Sequence, residues 1–182
     1  MKDSFFGGLA HKRISVRSYK DIPIEADKIE LCLEAARLAP SACNSQPWKF
    51  VVVNDKVLKD DLCDKAFSGI YSMNTFAKSA PVIIAVVSEK SAFFASVGGK
   101  VRDTSYYLID IGIASEHLVL QAAELGLGSC MLGWFNEKSV KKLLKIPGQK
   151  KVDLLISLGY YEEIKKDKNR KSLAEIGAYN RY

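Results

Sequence analysis

Residues 82–87 read Val-Ile-Ile-Ala-Val-Val, six consecutive apolar positions without a polar break. A strand with one face in water alternates apolar and polar side chains, whereas an unbroken run rich in β-branched residues suits a strand covered on both faces. The rest of the chain therefore has to supply a layer on each side of a sheet. Counted from Ala80, the run is still far below the ~18 residues of a membrane-spanning helix, so a membrane protein is not expected.

The covering layers are legible as helical periodicity. Residues 26–38 place Ile29, Cys32, Leu33 and Ala36 on one stripe with Glu30 and Glu34 elsewhere, and Pro40 ends the helix. Residues 49–53 form a strand by β-branched enrichment, and Asn54-Asp55 supplies a turn and cap for a helix over 56–67. The longest helix is predicted over 103–125, where Tyr107, Ile111, Ala114, Leu118 and Ala122 recur at helical spacing and Gly126 closes the end. Residues 127–132 read as either a loop of small residues or a short strand. Asn136 caps a helix over 137–144, Pro147-Gly148 breaks it, and 153–158 is the last strong strand. Strands alternate with helices, which predicts a sheet sandwiched between helical layers.

A length of 182 residues, with no repeat, low-complexity segment or linker, is expected to form one domain over 1–182. Hydrophobic residues at 48% and charged residues at 26% are those of an ordinary globular chain and exclude collagen, coiled-coil and mucin-like classes. The apolar stretch at 5–10 contains two glycines and is too short for a signal-peptide core, so export is not expected. Cys32, Cys43, Cys63 and Cys130 lie far apart without a Cys-x-x-Cys pair, and only His11 and His117 are available to join them. That argues against zinc and for reduced thiols in a cytoplasmic protein. The net charge of +6 is concentrated from Lys138 onward, including Lys165 and Lys166, and suits either an anionic ligand or solvated helix faces. The chain after Gly159 is lysine-rich yet ends with Leu173, Ile176 and tyrosines. Too apolar to stay disordered and too short to form a core, this tail is expected to pack on something else, a second subunit being one solution.

Common catalytic signatures fail. Gly126-Leu127-Gly128 lacks the third glycine of a dinucleotide fingerprint, and no phosphate loop, His-Glu-x-x-His or Gly-x-Ser-x-Gly occurs. Three segments are odd as pure structure. Arg13-Ile14-Ser15-Val16-Arg17, following an apparently helical 5–12, carries two guanidinium groups and a hydroxyl able to clamp a phosphate, or simply a solvated cationic face. The segment Pro40 to Trp48 presents Ser41, Asn44 and Gln46 between two stiffening prolines, which suits the polar edge of a planar heterocycle, although spacing alone favours a helix-to-strand turn capped by Asn and Ser. Small residues from Gly126 to Gly133 let backbone approach a ligand closely, or serve a tight connection alone.

Together these segments resemble the nitroreductase family of flavin-dependent oxidoreductases. The resemblance rests on Arg-x-Ser-x-Arg at 13–17, Pro-Ser-x-x-Asn-x-Gln-Pro-Trp at 40–48, Ala-Pro-Val at 80–82, Asp110-x-Gly112 opening a helix that ends Ala-x-x-Leu-Gly-Leu-Gly, and a basic Lys-x-Arg tail. It implies a homodimeric α+β fold in three layers (α/β/α), a mixed central sheet flanked by helices, and a C-terminal tail embracing the partner subunit. It also implies one FMN at each of two interface sites, reduced by NADH or NADPH. Carried over by motif, Arg13 and Ser15 resemble phosphate and ribityl contacts, with Ile14 contributing backbone, and Arg17 the cation at the flavin pyrimidine edge. Pro40, Ser41, Ala42 and Asn44 resemble the segment that meets the isoalloxazine. Met131, Leu132 and Gly133 resemble the backbone strip beside the ring, and Lys168 and Arg170 the cations that complete the phosphate site.

The chain also departs from the family pattern. Leu132-Gly133-Trp134 stands where some members carry Glu, Glu116 where many show Gln, and the stretch at 88–100 is short, so the helical excursion of larger members is reduced or missing. The resemblance implies ping-pong hydride transfer from NAD(P)H to FMN and on to a small-molecule acceptor such as a nitroaromatic or quinone, with no side chain as proton donor. Three other readings compete. One is a flavin-binding or flavin-consuming protein not reduced by NAD(P)H. Another is a nucleic-acid module using the lysine-rich C-terminal third, disfavoured because its lysines alternate with core positions. The last is a cysteine hydrolase on Cys43, for which no recognisable flank exists.

Overall fold

All seven residues of β2 (Val82–Ser88) are buried, and the six apolar ones divide between two cores. Ile83, Ala85 and Val87 pack on one side with Leu62, Phe67, Val140 and Leu155, while Val82, Ile84 and Val86 pack on the other with Ile29, Cys32, Ile111 and Leu118. The period-two alternation of a pleated strand turns one apolar run into two hydrophobic faces, each covered by its own helical layer.

Those layers are identified by the remaining elements of the computed structural model, which describes residues 4–89, 104–162 and 168–182. In chain order they are α1 (Phe5–Lys12), α2 (Ala26–Arg37), β1 (Trp48–Val53), α3 (Lys56–Ala66), β2, α4 (Tyr106–Glu124), β3 (Gly128–Leu132), α5 (Glu137–Leu143), β4 (Lys151–Gly159) and α6 (Leu173–Ile176). Helices α3 and α5 cover one face of the sheet and α2 and α4 the other, so the three-layer α+β arrangement read from the sequence is the observed one. The four strands run in the order β1-β2-β4-β3, with every neighbouring pair antiparallel. A parallel component comes from a single bridge at the edge of β3, between Ser15 and Ser129.

Local chemistry explains the element boundaries. The Asp55 side chain accepts from the Leu58 N–H at 2.8 Å and caps α3, and Asn136 accepts from the Ser139 N–H at 3.1 Å and caps α5. Gly126, at φ +79°, supplies the left-handed residue that ends α4. The undecided stretch 127–132 is a strand: Gly128–Leu132 pairs with β4 from Gly159 to Leu155. Gly128 is also required by space, because a Cβ there would stand 2.6 Å from Val16 Cγ2 and 2.7 Å from Tyr161 Cδ1. Its absence lets residues 13–16 lie against β3.

Of the sequence expectations, Asp103 at the start of the long helix, residues 90–100 of the shortened stretch, and Lys165 and Lys166 of the basic tail lie outside the described residues. One segment carried no expectation. Gly69–Ser79 forms consecutive 3₁₀ turns beside β3, with Asn74 donating to the Trp134 carbonyl and Trp134 Nε1 to the Ile70 carbonyl, both at 2.9 Å. No helix among the described residues is long and apolar enough to cross a membrane.

Candidate functional site

The segment after α1 runs along the outer edge of the sheet. Val16 N–H donates to the Ser129 carbonyl at 2.9 Å, which fixes Arg13, Ile14, Ser15 and Arg17 beside β3. Val16 itself is fully buried, while Ser15 and Arg17 on either side of it are exposed, as alternation along an extended segment requires. Arg17 Nη1 donates to the Ser15 carbonyl at 3.3 Å, and its guanidinium stands 5.8 Å from the centroid of the Phe76 ring. That contact explains how a flexible cation is held in place at an exposed site.

The tail returns to the same place. Lys168 Nζ donates to the carbonyls of Ala10 and Arg13, the acceptors left open at the C-terminal end of α1. Burial and the nearby Arg13 and Arg170 hold the Lys168 ammonium below the usual lysine range, with Glu116 acting in the opposite direction. Arg13, Lys168 and Arg170 therefore share one electrostatic neighbourhood although they come from opposite ends of the chain. Among the described residues, a carboxylate in that neighbourhood is Glu116 on α4, with Oε1 3.7 Å from Arg13 Nε.

A second group forms around the connection from α2 to β1. Ala42–Asn44 make a 3₁₀ turn in which Cys43 and Asn44 adopt φ of 53° and 52°, and Gln46 follows at 44°. Left-handed backbone at non-glycine residues costs about 1–2 kcal/mol each, so surrounding contacts must hold it. Ser41 Oγ accepts from the Gln46 N–H at 2.9 Å, Gln46 Nε2 donates to Asn44 Oδ1 at 3.2 Å, and Asp110 Oδ1 on α4 accepts from the Ala42 N–H at 3.0 Å. Pro40 and Asn44 are exposed, and Ser41 and Ala42 are half-buried. Ser45 Oγ and Asp110 Oδ2 are buried without a hydrogen-bond partner among the described residues.

Met131, Leu132 and Gly133 close β3 on the side toward Trp134. Met131 and Gly133 are exposed, but the Leu132 side chain is 3% exposed and belongs to the core, so only its main chain is available to a ligand. Tyr71 and Trp134, with ring centroids 5.1 Å apart, extend this edge into a short aromatic wall.

The structure thus brings part of the predicted residues into two groups along α4, while Ile14, Ser15, Arg17 and Met131 to Gly133 lie along β3. Arg13, Lys168 and Arg170 lie toward Glu116, and the turn at 40–46 is anchored at Asp110; six residues of helix separate the two anchors by about 9 Å. A cavity of about 390 Å³ lined by Tyr19, Ile24, Asn54, Lys59, Lys78 and Pro81 contains none of the predicted residues. Sequence reading missed the contacts made by Glu116, Asp110 and Phe76. For the first two the signal was present as polar residues inside an apolar helix pattern.

The sequence matches the nitroreductase family over residues 10–72 and 71–160. The chain belongs to the nitroreductase family. Among solved structures, it is similar to an FMN-dependent nitroreductase from Clostridium difficile, with 31% identity, a TM-score of 0.78, and coverage of 96% of this chain and 99% of that one. Among curated relatives, it is 29% identical to the oxygen-insensitive NADPH nitroreductase of Helicobacter pylori, over 80% of this chain and 81% of the relative. It is also 28% identical to an iodotyrosine deiodinase of Thermotoga neapolitana, over 86% of this chain and 89% of the relative.

Proposed function

We propose that the chain is a homodimeric, FMN-dependent NAD(P)H oxidoreductase in which Arg13, Lys168 and Arg170 grip the cofactor phosphate. As a nitroreductase-family member it is an NAD(P)H-dependent oxidoreductase; the finer assignments rest on its own residues. The observation that carries them is the return of the tail to the end of α1, where Lys168 Nζ donates to the Ala10 and Arg13 carbonyls and where desolvation, helped by Arg13 and Arg170, depresses its ammonium. Like charges held together by main-chain hydrogen bonds make a site for a polyanion, and a phosphate monoester carries about −1.5 to −2 at pH 7.

Around that phosphate, the Ser15 hydroxyl and Ile14 main chain face the ribityl chain, and the Arg17 cation meets the pyrimidine edge. Pro40, Ser41, Ala42 and Asn44 supply donors, acceptors and shape for the ring, and the Met131–Gly133 main chain supplies N–H donors. FMN held by these residues would supply the hydride-accepting chemistry that links NADH or NADPH as donor to a small-molecule acceptor such as a nitroaromatic or quinone. Arg17 then stabilises negative charge that develops at its edge of the site. The side chains bind, orient and tune; none is assigned a proton transfer.

What one chain leaves uncovered supports the second subunit. Phe5 and Phe6 on α1 are 77% and 65% exposed, Leu31 and Leu38 flank them beside α2, and all residues from Asn169 to Tyr182 are exposed despite Leu173, Ile176 and Tyr179. A second copy covering this face with its own tail removes that apolar area from water.

The test is an anaerobic absorption spectrum of the purified protein before and after NADH and then NADPH. A flavin spectrum that bleaches with either nucleotide is expected. A protein that cannot be reconstituted with FMN would refute the cofactor assignment, and one that binds FMN without bleaching would refute the NAD(P)H step alone.

A further inference from the structure

We propose that Glu116 is a counter-charge built into the phosphate cradle, and that it makes FMN an exchangeable ligand of this protein rather than a permanently held one. The inference rests on the FMN reading above and concerns what this chain's own carboxylate does to it. Arg13 approaches from the end of α1 and Lys168 and Arg170 from the tail, and in the ligand-free protein their mutual repulsion must be offset. Lys168 uses the carbonyls of Ala10 and Arg13, and Arg170 Nη1 donates to the Asn169 carbonyl. Neither makes an ion pair within 4.0 Å among the described residues, whereas Arg13 has Glu116 at 3.7 Å. Glu116 also favours the charged form of Lys168, so its field reaches beyond Arg13.

The geometry of this pair is that of a loose occupant. The recorded Nε to Oε1 separation of 3.7 Å is beyond a hydrogen bond, and the Glu116 side chain is 49% exposed against 20% for Arg13. A half-exposed carboxylate can turn into water when a competing anion arrives. Yet α4 fixes its backbone beside the cradle, so a phosphate on Arg13 meets a like charge that cannot leave the neighbourhood. Of the described residues named here, three positive groups and one negative give net +2, where the same cations with a neutral side chain at 116 would give +3. The carboxylate keeps the empty cradle assembled and limits the affinity of the filled one.

The proposal separates phosphate binding from ring binding, which allows a clean test by flavin fluorescence titration with FMN and riboflavin. In Glu116→Gln, the dissociation constant for FMN is expected to fall on the order of tenfold at low salt, with the gain shrinking as ionic strength rises. Riboflavin, which lacks the phosphate, is expected to bind parent and variant equally. Glu116→Asp, which keeps the charge, is expected to stay near the parent. On gel filtration the parent should shed FMN that Glu116→Gln retains. Unchanged or weaker FMN binding in Glu116→Gln, or an equal gain for riboflavin, overturns the role of Glu116 while leaving the FMN reading intact. Failure of both parent and variant to bind FMN overturns the FMN reading itself, and this inference with it.

Discussion

Asp110 Oδ1 accepts a hydrogen bond from the Ala42 N–H at 3.0 Å across 68 residues of sequence, tying the N-terminal part of helix α4 to the strained turn that follows α2. Three non-glycine residues of that turn, Cys43, Asn44 and Gln46, sit at positive φ, and their geometry persists only while contacts such as this one hold it. Replacing Asp110 with Ala is expected to leave the Ala42 N–H unpaired and to destabilise the fold by about 1–3 kcal/mol, measured by urea unfolding. Asp110→Asn, which keeps an acceptor oxygen, is expected to retain most of the stability. Equal loss in both variants would show that the charge, and not the hydrogen bond, anchors the turn.

Cys43 reports on the same turn. It is the exposed thiol, whereas Cys32 and Cys63 are buried and pushed up to about 12 by desolvation, and Cys130 is raised mainly by burial despite Arg17, the Ser15 hydroxyl and Arg13. Alkylation of the native protein at neutral pH is therefore expected to modify Cys43 selectively, and all four thiols after unfolding. Asp110→Ala should accelerate the Cys43 reaction by loosening the turn. Mass spectrometry of the alkylated peptides checks both statements.

Arg13→Ala removes one charged donor from the phosphate cradle while its backbone, which accepts from Lys168, remains. A hydrogen bond to a charged group contributes about 1.5–3 kcal/mol, so FMN affinity is expected to drop by roughly 10- to 100-fold with the fold preserved. Fluorescence titration against circular dichroism separates the two effects. A variant that binds FMN as tightly as the parent would dismiss Arg13 as a phosphate ligand.

The depressed Lys168 ammonium gives that affinity a pH dependence. In the free protein Lys168 loses its proton below the usual lysine range, because it is partly desolvated and lies near Arg13 and Arg170. A bound phosphate dianion favours the protonated form, so binding raises this pKa. Below the free-protein value Lys168 is charged in both states and binding is insensitive to its titration. Above it, binding must take up a proton, and affinity falls as pH rises until the bound-state value is passed. FMN titrations from neutral to alkaline pH are expected to show this decline, and Lys168→Met to flatten it at weaker overall affinity.

How much of this was legible in the sequence depends on the range of the contact. The apolar run Val82–Val87 announced a strand buried on both faces, and the stripe Ile29, Cys32 and Ala36 announced the face of α2, because each signal lies within a few turns of chain. Residues 127–132 stayed undecided, since Gly128, Ser129 and Cys130 are small and owe their strand to pairing with β4 rather than to propensity. The turns at Gly69–Ser79 carry no helical period and are held by Trp134 from beyond α4. At the site, residue types pointed to phosphate and heterocycle recognition. The pairings that give them meaning, Arg13 with Glu116 and Ala42 with Asp110, join distant parts of the chain and leave no local pattern.

Gly128 connects the sheet to the cradle, and a methyl group there probes the connection. A Cβ would stand 2.6 Å from Val16 Cγ2 and 2.7 Å from Tyr161 Cδ1, and Val16 is fully buried, so neither neighbour yields without moving its own segment. Overpacking of this kind costs about 1–3 kcal/mol, and Gly128→Ala is expected to lower stability by that amount in urea unfolding. The displaced segment is the one that carries Arg13 and Ser15, so FMN affinity should fall together with stability. Gly133→Ala supplies the contrast, because a Cβ at 133 meets nothing within 4 Å and stability should be unchanged. If Gly128→Ala lost stability but kept full FMN affinity, the position of residues 13–16 against β3 would not be what sets the cradle.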